Sequence, residues 1–119
     1  MTEPIRSFEE AVAFALTLPD TVLSTSYGKP AVKVASNGRA FLYTGHEQLS
    51  SFGVAIDLDS VEILKETDPD TFWQSPHYEG WPTVLIRFDS ADPDRVRSVI
   101  ERSRDWTAAK PPPRARKRK

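Results

Sequence analysis

The spacing of apolar residues along this chain switches between helical and strand period, and each switch marks an element. Phe8, Ala11, Val12, Ala15 and Leu16 recur on one side of a helix, with Phe14 and Leu18 on the other, so most of its girth must be covered. Ser7 followed by Glu10 is a capping box, in which the hydroxyl accepts from the third helical amide and the carboxylate reaches back to the cap. The helix stops before Pro19, whose ring disfavours helix for the residue ahead of it.

Strand period follows. Ala31–Ala35 and Ala40–Thr44 flank Ser36-Asn37-Gly38-Arg39, and Asn-Gly tolerates positive φ at both centres of a tight turn. A two-residue loop at Asn37-Gly38 predicts a hairpin with Val34 facing Phe41, Val32 facing Tyr43, and Lys33 on the other face. Phe52, Val54, Ile56 and Leu58 alternate with Ser51, Gly53, Ala55 and Asp57 and predict a third strand. Asp59 with Glu62 caps a short helix through Val61, Ile63 and Leu64, and Asp68-Pro69 caps a further turn carrying Phe72 and Trp73. Trp81 to Phe88 is the most apolar strand candidate, with Val84, Ile86 and Phe88 toward the core and Pro82 near its start, where a missing donor costs least.

Asp92-Pro93 opens a last helix to about Ala109. At about 100° per residue, Val96, Val99, Ile100, Ser103, Trp106 and Thr107 form one core-facing stripe. Arg95 and Arg102 flank one border and Arg97 and Arg104 the other, while Asp94, Glu101 and Asp105 face outward. The arginines are expected to lay their methylenes beside the buried stripe, and an acidic outer face makes this helix a poor reader of a DNA groove. Val96, Val99, Ile100 and Trp106 are expected to lie against Val84, Ile86 and Phe88. The order helix, hairpin, strand, helix, strand, helix predicts an α+β two-layer sandwich, a mainly antiparallel sheet with helices packed on it and helices at both ends.

Length permits one such domain, residues 1–109: 119 residues bury roughly two-thirds of their unfolded surface, enough for a single core. Charge changes the picture at the C-terminus. Six of the sixteen basic residues (Lys110, Arg114, Arg116, Lys117, Arg118 and Lys119) lie in the last ten positions with no acid among them. Residues 1–109 carry ten basic and all seventeen acidic residues, so a body of formal charge −7 adjoins a tail of +6. The tail 110–119, stiffened by Pro111-Pro112-Pro113 and then self-repelling, is expected to be disordered and to project up to about 30 Å. It has the charge density that attracts a polyanion, whereas the body repels one.

The chemistry that remains is sparse. With no cysteine, disulfides, thiolate zinc sites and cysteine nucleophiles are excluded. His46 and His77 have no partner at a metal-site spacing, and no serine lies in a Gly-x-Ser-x-Gly elbow. No phosphate-cradling glycine motif is present. The acids Asp57, Asp59, Glu62, Glu66, Asp68 and Asp70 lack the alternation of a calcium loop and read as caps and solvated side chains. Phe72-Trp73 and His77-Tyr78-Glu79-Gly80-Trp81 place aromatic rings near a glycine turn, where they form either a pocket wall or ordinary packing.

Leu18-Pro19-Asp20-Thr21, the Tyr27-Gly28-Lys29-Pro30 lead into Val32-Lys33-Val34, the return at Phe41, and His77-Tyr78 through Trp81-Pro82-Thr83-Val84 into the last helix together resemble the MmcQ/YjbR family. The resemblance spans roughly residues 7–110 and departs from the family pattern at Ala31, where a larger apolar residue is usual, and at Asn37-Gly38-Arg39. It implies a compact α+β domain and DNA binding, and it carries over no catalytic residue.

The leading expectation is a non-enzymatic nucleic-acid-associated protein. Lys110, Arg114, Arg116, Lys117, Arg118 and Lys119 supply nonspecific, salt-sensitive affinity for DNA, and Lys29, Lys33 and Arg39 on the hairpin side orient the body. The alternative is a small-molecule or protein-binding module whose site is Trp73, His77, Tyr78 and Trp81, with the tail incidental. No cofactor, metal or membrane contact is expected, and the chain is expected to be a cytoplasmic monomer.

Overall fold

The computed structural model of the protein describes residues 2–45 and 50–112. His46 and the tail residues Arg114, Arg116, Lys117, Arg118 and Lys119 lie outside the described residues.

Three helices start at acid or hydroxyl caps. In α1 (Phe8–Ala15) the Ser7 side chain accepts from the Glu10 amide at 3.1 Å. The Glu10 carboxylate accepts from the amide of Arg6 at 2.7 Å, one residue before the cap that the capping box predicts. α2 (Leu58–Thr67) is capped by Asp57, two residues earlier than expected, because its carboxylate accepts from both the amide and the hydroxyl of Ser60. Leu58 consequently leaves the preceding strand and becomes the first helical residue. α3 (Pro93–Ala108) begins at Asp92 with Pro93 in the first turn, where its missing N–H has no intrahelical partner to lose.

Six strands, β1 (Thr21–Ser26), β2 (Lys29–Val34), β3 (Ala40–Tyr43), β4 (Ser51–Ala55), β5 (Phe72–Trp73) and β6 (Thr83–Arg87), form one sheet in the order β1-β2-β3-β4-β6-β5. Every pairing is antiparallel. The chain is therefore an α+β fold with helices packed on an antiparallel sheet. β1 and β5 extend the expected strands at the two edges. β1 escaped the alternation test because Val22 and Leu23 are adjacent, and as an edge strand it leaves them 44% and 53% exposed. Phe72-Trp73 is a strand instead of a helical turn: Phe72 pairs with Ile86 and Trp73 with Leu85.

The central hairpin is offset from the register a two-residue loop imposes. Val32 pairs with Leu42 and Ala31 with Tyr43, and a bulge lies between Val32 and Lys33. The loop spans four residues, closed by the Val34 amide donating to Arg39 O at 2.9 Å, and the Gly38 amide donates to Val34 O at 2.8 Å. Gly38 has φ +74°, but Asn37 is not in the left-handed region. The Asn37 side chain is committed elsewhere: Nδ2 donates to Lys110 O at 3.0 Å and to Thr107 O at 2.8 Å, the latter carbonyl also accepting from the Lys110 amide.

Directly opposed residues in antiparallel strands share a face. Val32, Leu42, Val54 and Val84, with Phe52, Ile86 and Phe72, line the helix side and join Ala11 and Ala15 of α1, Val61 and Leu64 of α2, and Val96, Val99 and Ile100 of α3 in one core. Contrary to expectation α3 lies over β2, β3 and β4, while α2 covers β5 and β6. Trp106 is only half-buried, with Lys110 Nζ 4.0 Å from its ring centroid. The other face carries the row Ala31, Tyr43, Gly53, Leu85 and Trp73 and, among the described residues, bears no helix. That face holds the site.

Candidate functional site

On the helix-free face the Tyr43 ring lies over Gly53, where a Cβ would come within 2.8 Å of it. This close approach directs the phenol along the sheet to Thr83, whose hydroxyl shares a 2.7 Å hydrogen bond with it. Burial pushes the Tyr43 hydroxyl up to about 12, so it stays a neutral hydrogen-bonding group at physiological pH.

Tyr43 and Thr83 form part of a cleft of about 760 Å³. One wall is the β1–β2 turn, with Ser26, Tyr27 and Lys29, and the opposite wall is the segment between β5 and β6, with His77, Tyr78 and Trp81. Tyr27 and Gly28 both have positive φ, +54° and +79°, the signature of a type I′ turn between Ser26 and Lys29. Such a turn favours Asn or Gly, yet here its first centre is a tyrosine whose ring is fully exposed. The opposite wall is fastened by Gln74: Nε2 donates to the carbonyls of Tyr78, Trp81 and Thr83, and Oε1 accepts from Lys65 of α2 at 2.9 Å. Within it the rings of His77 and Tyr78 meet edge to face at 4.8 Å, and burial raises the Tyr78 hydroxyl above its ordinary value.

Trp81 lies outside the strand predicted for it and is 63% exposed. It stands between the cleft and a smaller notch of about 200 Å³ lined by Arg39, Ala55, Trp106, Thr107 and Lys110, and Ala40 and Thr83 also border both. Arg39 Nε donates to Pro111 O at 2.6 Å, so the root of the basic tail sits at the notch. The Thr107 hydroxyl is buried with no hydrogen-bond partner among the described residues.

Among the described residues, the linings of the two hollows contain three cationic side chains, five Tyr or Trp rings and no carboxylate. That lining is opposite in sign to the body of formal charge −7 that carries it. Among the described residues no cluster of three His, Asp or Glu side chains is placed to hold a metal, and no helix is long and apolar enough to cross a membrane.

The structure thus brings together residues that the sequence assigned to rival sites. Lys29 joins His77, Tyr78 and Trp81 in the cleft, and Arg39 and Lys110 meet Trp81 at the notch. Lys33, paired with Ala40, lines neither hollow. Trp73 is also apart: its indole N–H donates to Ser51 at 2.9 Å and the Arg87 guanidinium lies 4.6 Å from its ring centroid. Sequence reading missed Tyr27, Tyr43, Gln74 and Trp106 as site residues. Tyr27-Gly28 carried a signal, a turn dipeptide ahead of a strand, but without β1 there was no hairpin to close.

The arginines of α3 are occupied, but where pairing with acids is expected the bonds of Arg95, Arg97 and Arg102 go to hydroxyls and a carbonyl, and Arg104 pairs with an acid. Arg95 lies 5.5 Å from the Phe72 ring and donates to Thr67, and Arg97 lies 5.4 Å from Phe14 and donates to Glu3 O. Arg102 donates to Ser60, and Arg104 pairs with Asp105 and donates to Pro19 O. Asp94, Glu101 and Asp105 are exposed.

No curated protein and no solved structure matches the chain at a significant level. A family model does: the YjbR model matches residues 16–106, from the cap at the end of α1 to the last turns of α3, taking in the whole sheet and both hollows up to Trp106. The chain belongs to the YjbR family.

Proposed function

We propose that this protein binds nucleic acid, without a catalytic step, across the cleft and notch of the helix-free face, with the basic tail adding nonspecific affinity. The observation that carries this reading is the lining of aromatic rings with Lys29, Arg39 and Lys110, free of carboxylates among the described residues, on an otherwise acidic body. Rings offer faces to bases, and the cations suit phosphates. The hydrogen bond from Arg39 to Pro111 supports a continuous path, because it starts the tail beside the same surface.

The test is a titration of labelled nucleic acid at several salt concentrations. If all six tail cations meet duplex phosphates, log affinity falls against log salt with a slope near about −5, reduced by the body's negative charge. Replacing Arg114, Arg116, Lys117, Arg118 and Lys119 by Gln in the full chain should lower affinity. For single strands it should leave a slope of roughly −2, as expected for three remaining contacts. Absence of binding at low salt overturns the reading.

A second reading has one specific observation in its favour. The volume of the cleft, about 760 Å³, lies within the range of small-molecule sites. A small aromatic ligand with its ring against Tyr78 or Trp81 predicts binding that survives both tail neutralisation and high salt.

A further inference from the structure

Resting on the nucleic-acid reading, we infer that the bound form is a single strand and that Trp81 is a wedge between two adjacent base sites. Trp81 is 63% exposed and borders both hollows, and Ala40 and Thr83 run beneath it from one to the other. Each side of the wedge has its own ring and its own cation. Tyr27 and Lys29 stand on the cleft side, and on the notch side Arg39 stands with Trp106, one face of which Lys110 Nζ covers and the other of which is left to a base. A duplex presents phosphates to these cations, but its base faces are stacked on one another and are closed to the rings. A single strand offers both, and stacking on aromatic side chains is tolerant of sequence.

Tyr27 gives an independent indication. A non-glycine residue at φ +54° is strained, and a fully exposed ring buries no apolar surface of its own in return. A tyrosine in that place is explained by an external partner that stacks on it.

The experiment uses the full chain and oligomers of equal length: a single strand in deoxyribose and ribose forms, the duplex, and a strand of abasic sugar-phosphate. The single strand should bind more tightly than the abasic strand, which carries the same charges. Trp81→Ala should weaken single-strand binding by roughly 5- to 150-fold and leave duplex and abasic binding unchanged. Trp81→Phe should retain most of the affinity, and circular dichroism and thermal melts of both variants show that they are folded. Stacking in either sugar series supports the inference. If single strand, duplex and abasic strand all bind equally and Trp81→Ala changes none of them, the wedge is overturned while the nucleic-acid reading stands. If none binds the wild-type chain, both fall.

Discussion

The Asn37 side-chain amide donates to the carbonyl of Thr107 across 2.8 Å, tying the tip of the β2–β3 hairpin to the C-terminal turn of α3, seventy residues away in sequence. The same nitrogen reaches Lys110 O, and Oδ1 accepts from the Arg39 amide at 3.0 Å. One buried side chain thereby braces the hairpin loop against the end of the helix and holds the backbone of both Arg39 and Lys110 at the notch.

Asn37→Ala should therefore cost about 1–3 kcal/mol, the penalty for leaving buried polar groups without partners. Asn37→Asp should cost at least as much, since a carboxylate keeps the bond to the Arg39 amide but faces two carbonyl oxygens with no donor. Chemical denaturation of the two variants reads both values. A change below about half a kcal/mol, typical of ordinary surface substitutions, would show that the tie contributes nothing.

Tyr43 predicts a pH dependence. The unfolded chain ionises this phenol near its ordinary value of 10.0, whereas burial in the fold holds it at about 12. The folded state thus retains a proton that the unfolded state has lost. Its contribution is fully present below pH 10 and is lost as pH rises through 12, at up to about 1.4 kcal/mol per pH unit. Tyr78, shifted in the same direction, adds to the fall. Denaturation midpoints measured between pH 9 and 12 should drop more steeply for the wild-type chain than for Tyr43→Phe.

Tyr27→Asn separates stability from binding. Asn tolerates the left-handed region better than Tyr and suits a type I′ turn, so the variant should be more stable by up to about 1 kcal/mol. It should also bind single strands more weakly, because the stacking face is gone. Thermal melts and titrations on the same protein supply both readings, and a loss of stability would show that the Tyr27 ring serves the fold.

Ile100→Ala should cost about 2–5 kcal/mol and Glu101→Ala within about half a kcal/mol. Ile100 is completely buried in the core shared by the three helices, and Glu101, the next residue, is exposed. Equal effects in denaturation would mean that α3 is rotated from the phase described here.

The sequence by itself determined that three helices and the strands β4 and β6 form, though not the start of α2 or the ends of those strands, and it determined most of the burial phase of α3, because caps, proline positions and apolar period are local codes. Ser7, Asp92-Pro93, and the stripe Val96, Val99, Ile100, Ser103 and Thr107 needed no distant partner to be read, although Trp106, read into the same stripe, is only half-buried. It also exposed the division of charge between body and tail. The two edge strands were illegible, since an edge strand such as Thr21–Ser26 buries neither face fully and a two-residue strand has no period. The hairpin register was decided by Asn37 binding carbonyls of α3, a choice invisible to the turn itself. The candidate site belongs wholly to the tertiary structure. Lys29, Arg39, Trp81 and Lys110 are scattered along the chain, and only the antiparallel sheet order, the Gln74 fastening and the end of α3 bring them to one face. Local pattern specifies what each segment becomes, but cations and rings far apart in sequence become one surface only when the core fixes the strands beneath them.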